Sequence, residues 1–373
     1  MTAVLHVLDG ACDETQWHVL DILLARLADG HDPHTVCTIH PQAMRRAHQP
    51  EGGVIRRAEQ RLWRAMNYAP RLPAAARECG AQILHAWGPQ AAAVCSARLP
   101  ATPLVVTLLD PHHARDSASR LRSLPDWSAV IVGSQVARKQ LVTAGVPPER
   151  VVVIRGPADF AAINKARAAG LRARVVGESR PVVLMPGPPS RAGGQFYGLW
   201  AAAIVRQVIP SIRILMPYES AESHRLRRFV EQIEMSDMLV VPDARWSWPQ
   251  LVTCADVFLC PAHDEIATEP IALAMAAGLV IVGTAVRSVA ELIADKSNGF
   301  LCKPNDPRAL AGRLLTALED ADLARRVTEV ARGQAYEVFG VRAFADNYAR
   351  VYENILTGRP CGDAVHDTAY EPA

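Results

Sequence analysis

The chain has little lysine, little net charge and no long apolar run. Of its 40 basic residues only four are lysines (Lys139, Lys165, Lys296 and Lys303), so arginine supplies nearly all of the positive charge. A formal net charge of +2 favours neither a nucleic-acid partner nor disorder. No window of the sequence approaches the roughly 20 apolar residues of a membrane span, and the N-terminal residues lack the pattern of a signal peptide. We therefore expect a cytoplasmic protein.

The eight cysteines include no CxxC pair of the kind that zinc and redox sites use. They lie far apart or inside apolar runs, which is typical of buried thiols in a reducing compartment. We expect no metal site.

Short β-rich runs alternate with helical patterns, which predicts parallel sheets covered by helices on both faces. The first series of strands is predicted at Val4–Leu8, Thr35–Ile39, Gln82–Ala86, Leu104–Leu108, Ala129–Gly133 and Val151–Ile154. The second is predicted at Pro181–Met185, Ile212–Met216, Met238–Val241, Val257–Cys260 and Leu279–Gly283. Two series of this kind in 373 residues indicate two domains.

We place an N-terminal, acceptor-side domain at residues 1–165, a polar linker at 166–180 and a C-terminal, donor-side domain at 181–335. A helix at 336–357 carries an apolar stripe that includes Phe344, Tyr348 and Tyr352, and a flexible tail is expected at 358–373.

One long segment, CPAHDEIATEPIALAMAAGLVIVGTAVRSVAELIADKSNGFLCKPNDPRALAGRL from Cys260, resembles the donor-site region of the family-4 glycosyltransferases. The stretches Gly145–Phe160 and Ile83–Gly88 and the C-terminal helix are similar to other parts of that family. The resemblance implies an α/β protein with the GT-B fold, in which two doubly wound, Rossmann-like domains face each other across a cleft. It implies retaining transfer of a hexosyl group from a nucleotide-sugar donor to an acceptor.

In such enzymes two glutamates contact the donor, the first at its sugar and the second at its ribose. Glu265 stands at the first position, which implies contact with the donor sugar, whereas the second position is Leu273, which accepts no hydrogen bond. Glu269 lies one helical turn earlier and is a candidate for the ribose role. Its alternative interpretation is a carboxylate that favours the helix N-terminus.

The family neutralises the departing diphosphate with an Arg and a Lys before the first helix of the second domain. Here these positions are Pro188 and Gly193 in GPPSRAGGQF, so both charges are missing. Arg191 and Arg287 are the candidates that restore positive charge. The remaining candidate binding residues are glycines that allow close approach to an anion and two residues of the donor loop: Gly187, Gly193, Gly194, Ser288 and Glu291.

Two loops of the first domain also differ from the family pattern. The turn after the first strand reads GACDET, which places Asp13 and Glu14 where negative charge would repel a diphosphate. The histidine expected after the fourth strand is Leu109, with His112 and His113 as candidate replacements or as solvated loop residues.

Residues 54–66 form an amphipathic, arginine-rich pattern. It fits either a solvated helix face or a peripheral contact with the acidic inner face of a membrane or an anionic acceptor.

Two hypotheses follow. Either the chain is a retaining glycosyltransferase in which Glu265, Arg287 and Arg191 do the catalytic work, or it is a catalytically inactive relative that binds a ligand or partner protein.

Overall fold

The computed structural model describes residues 2–9, 14–28, 34–38, 71–124, 128–177, 181–187, 189–217, 220–243 and 245–361. Residues 54–66, Asp13 and Pro188 and the side chain of Glu14 lie outside this description, so the predictions made for them remain predictions. The chain divides into two compact units. Among the described residues, one unit contains those up to Gly156 and those from Val341 to Cys361, and the other contains those of Pro157–Gly340.

The described part of the first unit contains a six-stranded parallel sheet in the order β2-β1-β3-β4-β5-β6. Its strands are β1 (Val4–Leu8), β2 (His34–Thr38), β3 (Ile83–Trp87), β4 (Leu104–Leu108), β5 (Ala129–Val132) and β6 (Val151–Val153). The connecting helices are α1 (Glu14–Ala28), α2 (Leu72–Glu78), α3 (Pro89–Arg98), α4 (Pro111–Arg122) and α5 (Gln135–Thr143). The order reverses between β1 and β3, where a doubly wound sheet opens a crevice.

The second unit repeats this plan with the sheet order β12-β11-β10-β7-β8-β9, again parallel and six-stranded within the described residues. Its strands are β7 (Val182–Leu184), β8 (Arg213–Leu215), β9 (Leu239–Val240), β10 (Val257–Cys260), β11 (Val280–Thr284) and β12 (Phe300–Cys302). The helices are α6 (Phe160–Ala168), α7 (Arg172–Val176), α8 (Gln195–Arg206), α9 (Ser223–Gln232), α10 (Trp248–Val252), α11 (Glu269–Ala277), α12 (Arg287–Ala290), α13 (Pro307–Glu319) and α14 (Ala321–Val338). The predicted class, two doubly wound Rossmann-like domains, is confirmed.

Helix starts in both units follow from side chains that accept a hydrogen bond from an orphan backbone N–H group of the first turn. The capping residues of this kind are Asp110, Ser134, Asp159, Asp306 and Asp320. The sequence analysis did not predict β12, a strand of only three residues.

The boundary between the units differs from the prediction. Residues 166–168 and 172–176 of the predicted linker lie in helices α6 and α7, which belong to the second unit. The Arg172 guanidinium donates to both carboxylate oxygens of Asp256, at 2.8 and 2.6 Å, and Arg167 donates to the carbonyl oxygen of Ala277 at 2.6 Å. The polar residues that suggested a linker therefore attach these helices to their own unit.

The final helix, α15 (Val341–Thr357), returns the chain to the first unit and contacts α1. It begins at Val341 because α14 continues to Val338, beyond the predicted helix start at residue 336. Cys361 of the predicted tail is buried in the hydrophobic cluster that α15 forms with the first unit, whereas residues 358–360 are exposed. None of the helices in the described part of the chain combines the length and apolarity that a membrane span requires.

A polar network lies inside the first unit, on the side of the sheet that α15 covers. One ring nitrogen of His85, Nδ1, lies 2.7 Å from the hydroxyl oxygen of Tyr352, and the other, Nε2, lies 2.8 Å from Oγ1 of Thr107. The hydroxyl oxygen of Tyr348 lies 3.4 Å from the same Thr107 oxygen. Two tyrosines of α15 are therefore tied to polar residues of β3 and β4.

His6 extends this network toward β2. The indole nitrogen of Trp87 donates to Nδ1 of His6 at 3.1 Å, and Nε2 of His6 lies 3.0 Å from Nδ1 of His34. An indole N–H only donates, so Nδ1 of His6 must be an acceptor and the neutral ring carries its proton on Nε2. Burial, followed by the nearby His85 and His34, holds the pKa of His6 well below its usual range. Burial and His34 lower the pKa of His85 in the same way.

These lowered pKa values predict acid destabilisation of the first unit. Below pH 6.5 the unfolded chain binds protons at His6 and His85 that the folded chain does not. The contribution of these two histidines to the free energy of unfolding is therefore full above this pH and is lost progressively below it. Each histidine contributes a loss of about 1.4 kcal/mol per pH unit. Urea unfolding at pH 7.5, 6.5 and 5.5 measures this slope, and the variant His85→Gln should show a shallower one. Equal slopes for the two proteins would contradict the assignment.

Candidate functional site

Two loops of the second unit meet where its strand order reverses, between β7 and β10. The backbone N–H groups of His263 and Asp264, after β10, donate to the carbonyl oxygen of Ala192, after β7, at 2.9 and 3.3 Å. In parallel α/β sheets, ligands bind outside the carboxyl ends of the strands at this reversal point. The two loops therefore form the candidate site of this unit.

Gly194 permits this close approach. Its φ is +64°, and a Cβ atom at this position would lie 2.1 Å from the carbonyl oxygen of Pro261. Any side chain would collide with the backbone of the neighbouring loop, so glycine is required here by packing and by backbone conformation.

The loop after β7 is braced by Gln195, the first residue of α8. Its side chain accepts from the N–H of Ser190 at 3.1 Å and donates to the carbonyl oxygen of Pro186 at 2.8 Å. The hydroxyl of Ser190 accepts from the N–H of Gly193 at 2.9 Å. Gly187 lies half-buried in the same loop. The N–H of Gly193 is thus used inside the loop, and the anion-binding role of these glycines stays a prediction.

Glu265 is the most constrained acidic group of the site. It follows β10, and only 6% of it is exposed. Its Oε1 atom accepts from Nε of Arg287 at 2.7 Å, and its Oε2 atom accepts from the backbone N–H of Ser288 at 2.7 Å. The hydroxyl of Ser288 accepts from the N–H of Ile266 at 3.1 Å. Three residues proposed from the sequence thus meet at one carboxylate, which accepts hydrogen bonds from two donors.

The same arrangement leaves most of Arg287 accessible. Its side chain is 71% exposed although Nε is bonded to Glu265. The remaining guanidinium N–H groups can therefore meet a ligand while one edge positions the carboxylate. Glu291 lies half-buried at the end of α12, where its N–H donates to the carbonyl oxygen of Arg287.

Helix α11 contains both Leu273 and Glu269. Leu273 is only 2% exposed and belongs to the hydrophobic core of the second unit. Glu269 is buried in the first turn of this helix, where a carboxylate favours the helix N-terminus. Its place in the first turn is compatible with both interpretations, so the helix-terminal role and the ribose-binding role of Glu269 both stay predictions.

Arg191 is exposed on the loop after β7 and lines an open pocket of about 300 Å³ together with residues of α8 and α9. The pocket contains a second arginine, Arg225, which the sequence analysis did not identify. Helix α9 presents three arginines in the run SHRLRRF, and nothing in that run distinguishes Arg225 from Arg227 and Arg228.

The reversal point of the first unit already contains an anion. The carboxylate of Asp9, directly after β1, accepts from the N–H groups of Gln90 and Ala91 at 2.9 and 3.4 Å, at the start of α3. Gly88 has φ +105°, and a Cβ atom there would lie 2.2 Å from this carboxylate. Asp9 therefore occupies the position where the N-terminus of α3 would otherwise attract a ligand anion.

The histidines proposed to replace Leu109 lie in the first turn of α4. Leu109 itself is buried. The backbone N–H of His112 donates to Asp110 at 2.7 Å, and its ring nitrogen Nδ1 lies 3.1 Å from the guanidinium of Arg115. His113 is half-buried beside it. His112 is thus engaged within its own helix.

Comparison with known families assigns the chain to a class. The family model for glycosyl transferases group 1 matches residues 148–334, half of the chain, and the model for glycosyltransferase family 4 matches residues 15–161. The chain belongs to the group 1 glycosyltransferases, and the predicted resemblance to family-4-like enzymes with the GT-B fold is confirmed.

Curated relatives match only part of the chain. N-acetyl-alpha-D-glucosaminyl L-malate synthase of Bacillus anthracis is 25% identical over 42% of this chain and 40% of its own length. The putative colanic acid biosynthesis glycosyltransferase WcaL of Salmonella typhimurium is 31% identical over 35% of this chain and 34% of its own length. The chain thus spans well under half the length of these relatives.

Solved structures match nearly the whole chain. HepE of Anabaena, in complex with UDP and glucose, has a TM-score of 0.76 at 18% identity and covers 94% of this chain and 100% of its own. A glycosyltransferase from Rickettsia africae has a TM-score of 0.73 at 14% identity and covers 95% of this chain and 98% of its own. At these identities the similarity shows the fold.

The contact at Gly194 predicts a large difference between two glycine-to-alanine variants. Gly194→Ala should lower the free energy of unfolding by about 2 kcal/mol or more, because the new Cβ atom meets a carbonyl oxygen in a left-handed conformation. Gly312→Ala is the matched control. It lies inside α13 with open space around it, and should stabilise by about 0.5–1 kcal/mol. Urea unfolding compares the two, and equal stabilities would contradict the packing argument.

Proposed function

We propose that this protein is a retaining glycosyltransferase that transfers a hexosyl group from a nucleoside diphosphate sugar to an acceptor. The observation that carries the proposal is the fixed carboxylate of Glu265, held beside the accessible guanidinium of Arg287 at the carboxyl end of β10. Membership of the group 1 glycosyltransferases supports it, as do the names of the curated relatives and the UDP and UDP-glucose complexes of HepE.

In the proposed reaction, the bond between the anomeric carbon and the diphosphate oxygen breaks and a bond to the acceptor oxygen forms on the same face of the sugar. The acceptor hydroxyl loses its proton to the departing phosphate. Glu265 accepts hydrogen bonds from sugar hydroxyls, and Arg287 and Arg191 compensate the charge that develops on the diphosphate. Each preorganised group of this kind is worth on the order of a hundredfold or more in rate.

The other candidate binding residues have supporting roles in this proposal. Ser288, in α12, and Glu291, at its end, contact the donor, Glu269 contacts the ribose, and glycines in the loop after β7 let the diphosphate approach the backbone. The reaction is proposed to need no metal, so EDTA should leave turnover unchanged. Peripheral membrane contact through residues 54–66 is a separate proposal that vesicle co-sedimentation tests.

The catalytically inactive alternative has no support from the comparisons, whose named relatives include a synthase and glycosyltransferases. We therefore propose the enzyme alone.

Donor binding is the first test of the proposal. Calorimetric titration with UDP-, GDP- and ADP-sugars should identify at least one donor that binds the wild-type protein. Arg287→Ala should weaken that affinity about tenfold or more, because a charge-assisted hydrogen bond to the diphosphate is lost. Arg326→Ala, an exposed arginine of α14, is the matched control and should bind as the wild type does. Failure of every donor to bind would contradict the proposed function.

Turnover is the second test. With the donor identified by titration, Glu265→Gln should reduce the release of nucleoside diphosphate on the order of a hundredfold, because a neutral amide replaces a fixed anion beside the sugar. Glu329→Gln, on the exposed face of α14, removes the same charge at a distance and should retain wild-type turnover. Equal rates for wild type and Glu265→Gln would exclude a catalytic role for this carboxylate.

A further inference from the structure

An open pocket of about 300 Å³ lies beside the loop after β7, and we call it the α8–α9 pocket. Its walls come from this loop, from the first turn of α8, from the start of α9 and from the loop after β10. The lining residues that matter for its chemistry are Arg191, Gly194, Phe196, Glu222, Arg225 and His263.

Arg225 is the cation that the pocket positions best. Its guanidinium lies over the ring of Phe196, 4.8 Å from the ring centroid. A cation–π contact of this kind orients the guanidinium and leaves its N–H groups at the edge free to donate. Glu222 lies one helical turn away, with Oε2 3.7 Å from NH1 of Arg225, which is long for a hydrogen-bonded pair. Glu222 and Arg225 therefore form an ion pair without a short hydrogen bond.

Arg191 adds a second positive charge from the loop after β7. It is exposed, and no ion pair holds it among the residues that the structure describes. Two arginines thus face one glutamate, so the pocket has net positive charge without counting His263. Paired guanidinium groups match the geometry of phosphate oxygens.

The start of α8 adds to the positive potential of the pocket. Gly194 and Gln195 begin α8, a helix of 12 residues whose N-terminal end carries partial positive charge. The bonds from Gln195 to Ser190 and Pro186 fix this end of the helix against the loop. The start of α8 is therefore held in place before a ligand arrives.

We propose that the α8–α9 pocket binds the diphosphate of the nucleotide-sugar donor and that Arg225 is its principal cation, with Arg191 as the second. This inference rests on the proposed function. It explains how the site acquires positive charge although Pro188 and Gly193 carry none. It also predicts different roles for Arg225 and Arg228. Arg228 lies on the same helix and is exposed, but it does not line the pocket.

The test uses calorimetric titration of the full chain with UDP, GDP and ADP and with the matching nucleosides. The variants are Arg225→Ala, Arg225→Met, which keeps an apolar side chain over Phe196, and Arg228→Ala as the control that removes the same charge outside the pocket. Thermal unfolding of each variant shows whether it is folded.

We expect Arg225→Ala and Arg225→Met to weaken the binding of the preferred nucleoside diphosphate about tenfold to a hundredfold. Any affinity for the nucleoside alone should be unchanged, and Arg228→Ala should resemble the wild type. If folded Arg225→Met binds the diphosphate as tightly as the wild type does, the assignment of Arg225 is overturned while the proposed function stands. If the wild type binds no nucleoside diphosphate, the function fails and the assignment with it.

Discussion

The contact between the loops after β7 and β10 is the interaction on which the candidate site depends. Two backbone N–H groups donate to the single carbonyl oxygen of Ala192, and Gly194 lies directly against the carbonyl oxygen of Pro261. This contact fixes the start of α8 beside the loop that carries Glu265. A buried carboxylate persists only when donors compensate its lost hydration, and Arg287 and Ser288 provide them. Packing and charge are thus satisfied together at one end of the sheet.

The proposed reaction at this site depends on positively charged side chains. A departing diphosphate needs compensation, and the two positions that usually supply it carry proline and glycine here. Arg287 is shared with Glu265, so one edge of its guanidinium is already engaged. The arginines of the α8–α9 pocket are the other nearby source in the described part of the second unit. The first unit places the carboxylate of Asp9 at its own reversal point, which disfavours an anion there.

Much of the fold was predictable, because buried parallel strands appear as short β-branched runs. β1, β4 and β10 begin and end where the sequence pattern placed them. The linker was misplaced because α6 and α7 are short and rich in arginine, and only the structure shows Arg172 bound to Asp256. The short β-rich runs predicted β1 and β3 as strands, but they did not predict that His6 and His85 share a buried network with two tyrosines of α15.

The site was predictable where a motif fixed the spacing, and Glu265, Arg287 and Ser288 meet as a group. The sequence could not predict which of several similar residues on one helix lies beside a loop of the site. Arg225 is one of three arginines within four residues, and its stacking on Phe196 depends on the distance between α8 and α9. Asp9 was missed because its partners, the first N–H groups of α3, are remote in sequence.

A crystal structure of the protein grown with its preferred nucleoside diphosphate tests the central claim most directly. The account predicts diphosphate oxygens within about 3 Å of the guanidinium groups of Arg225 and Arg191, at the N-terminus of α8. A diphosphate bound without contact to Arg225, or bound at the Asp9 position of the first unit, would contradict it.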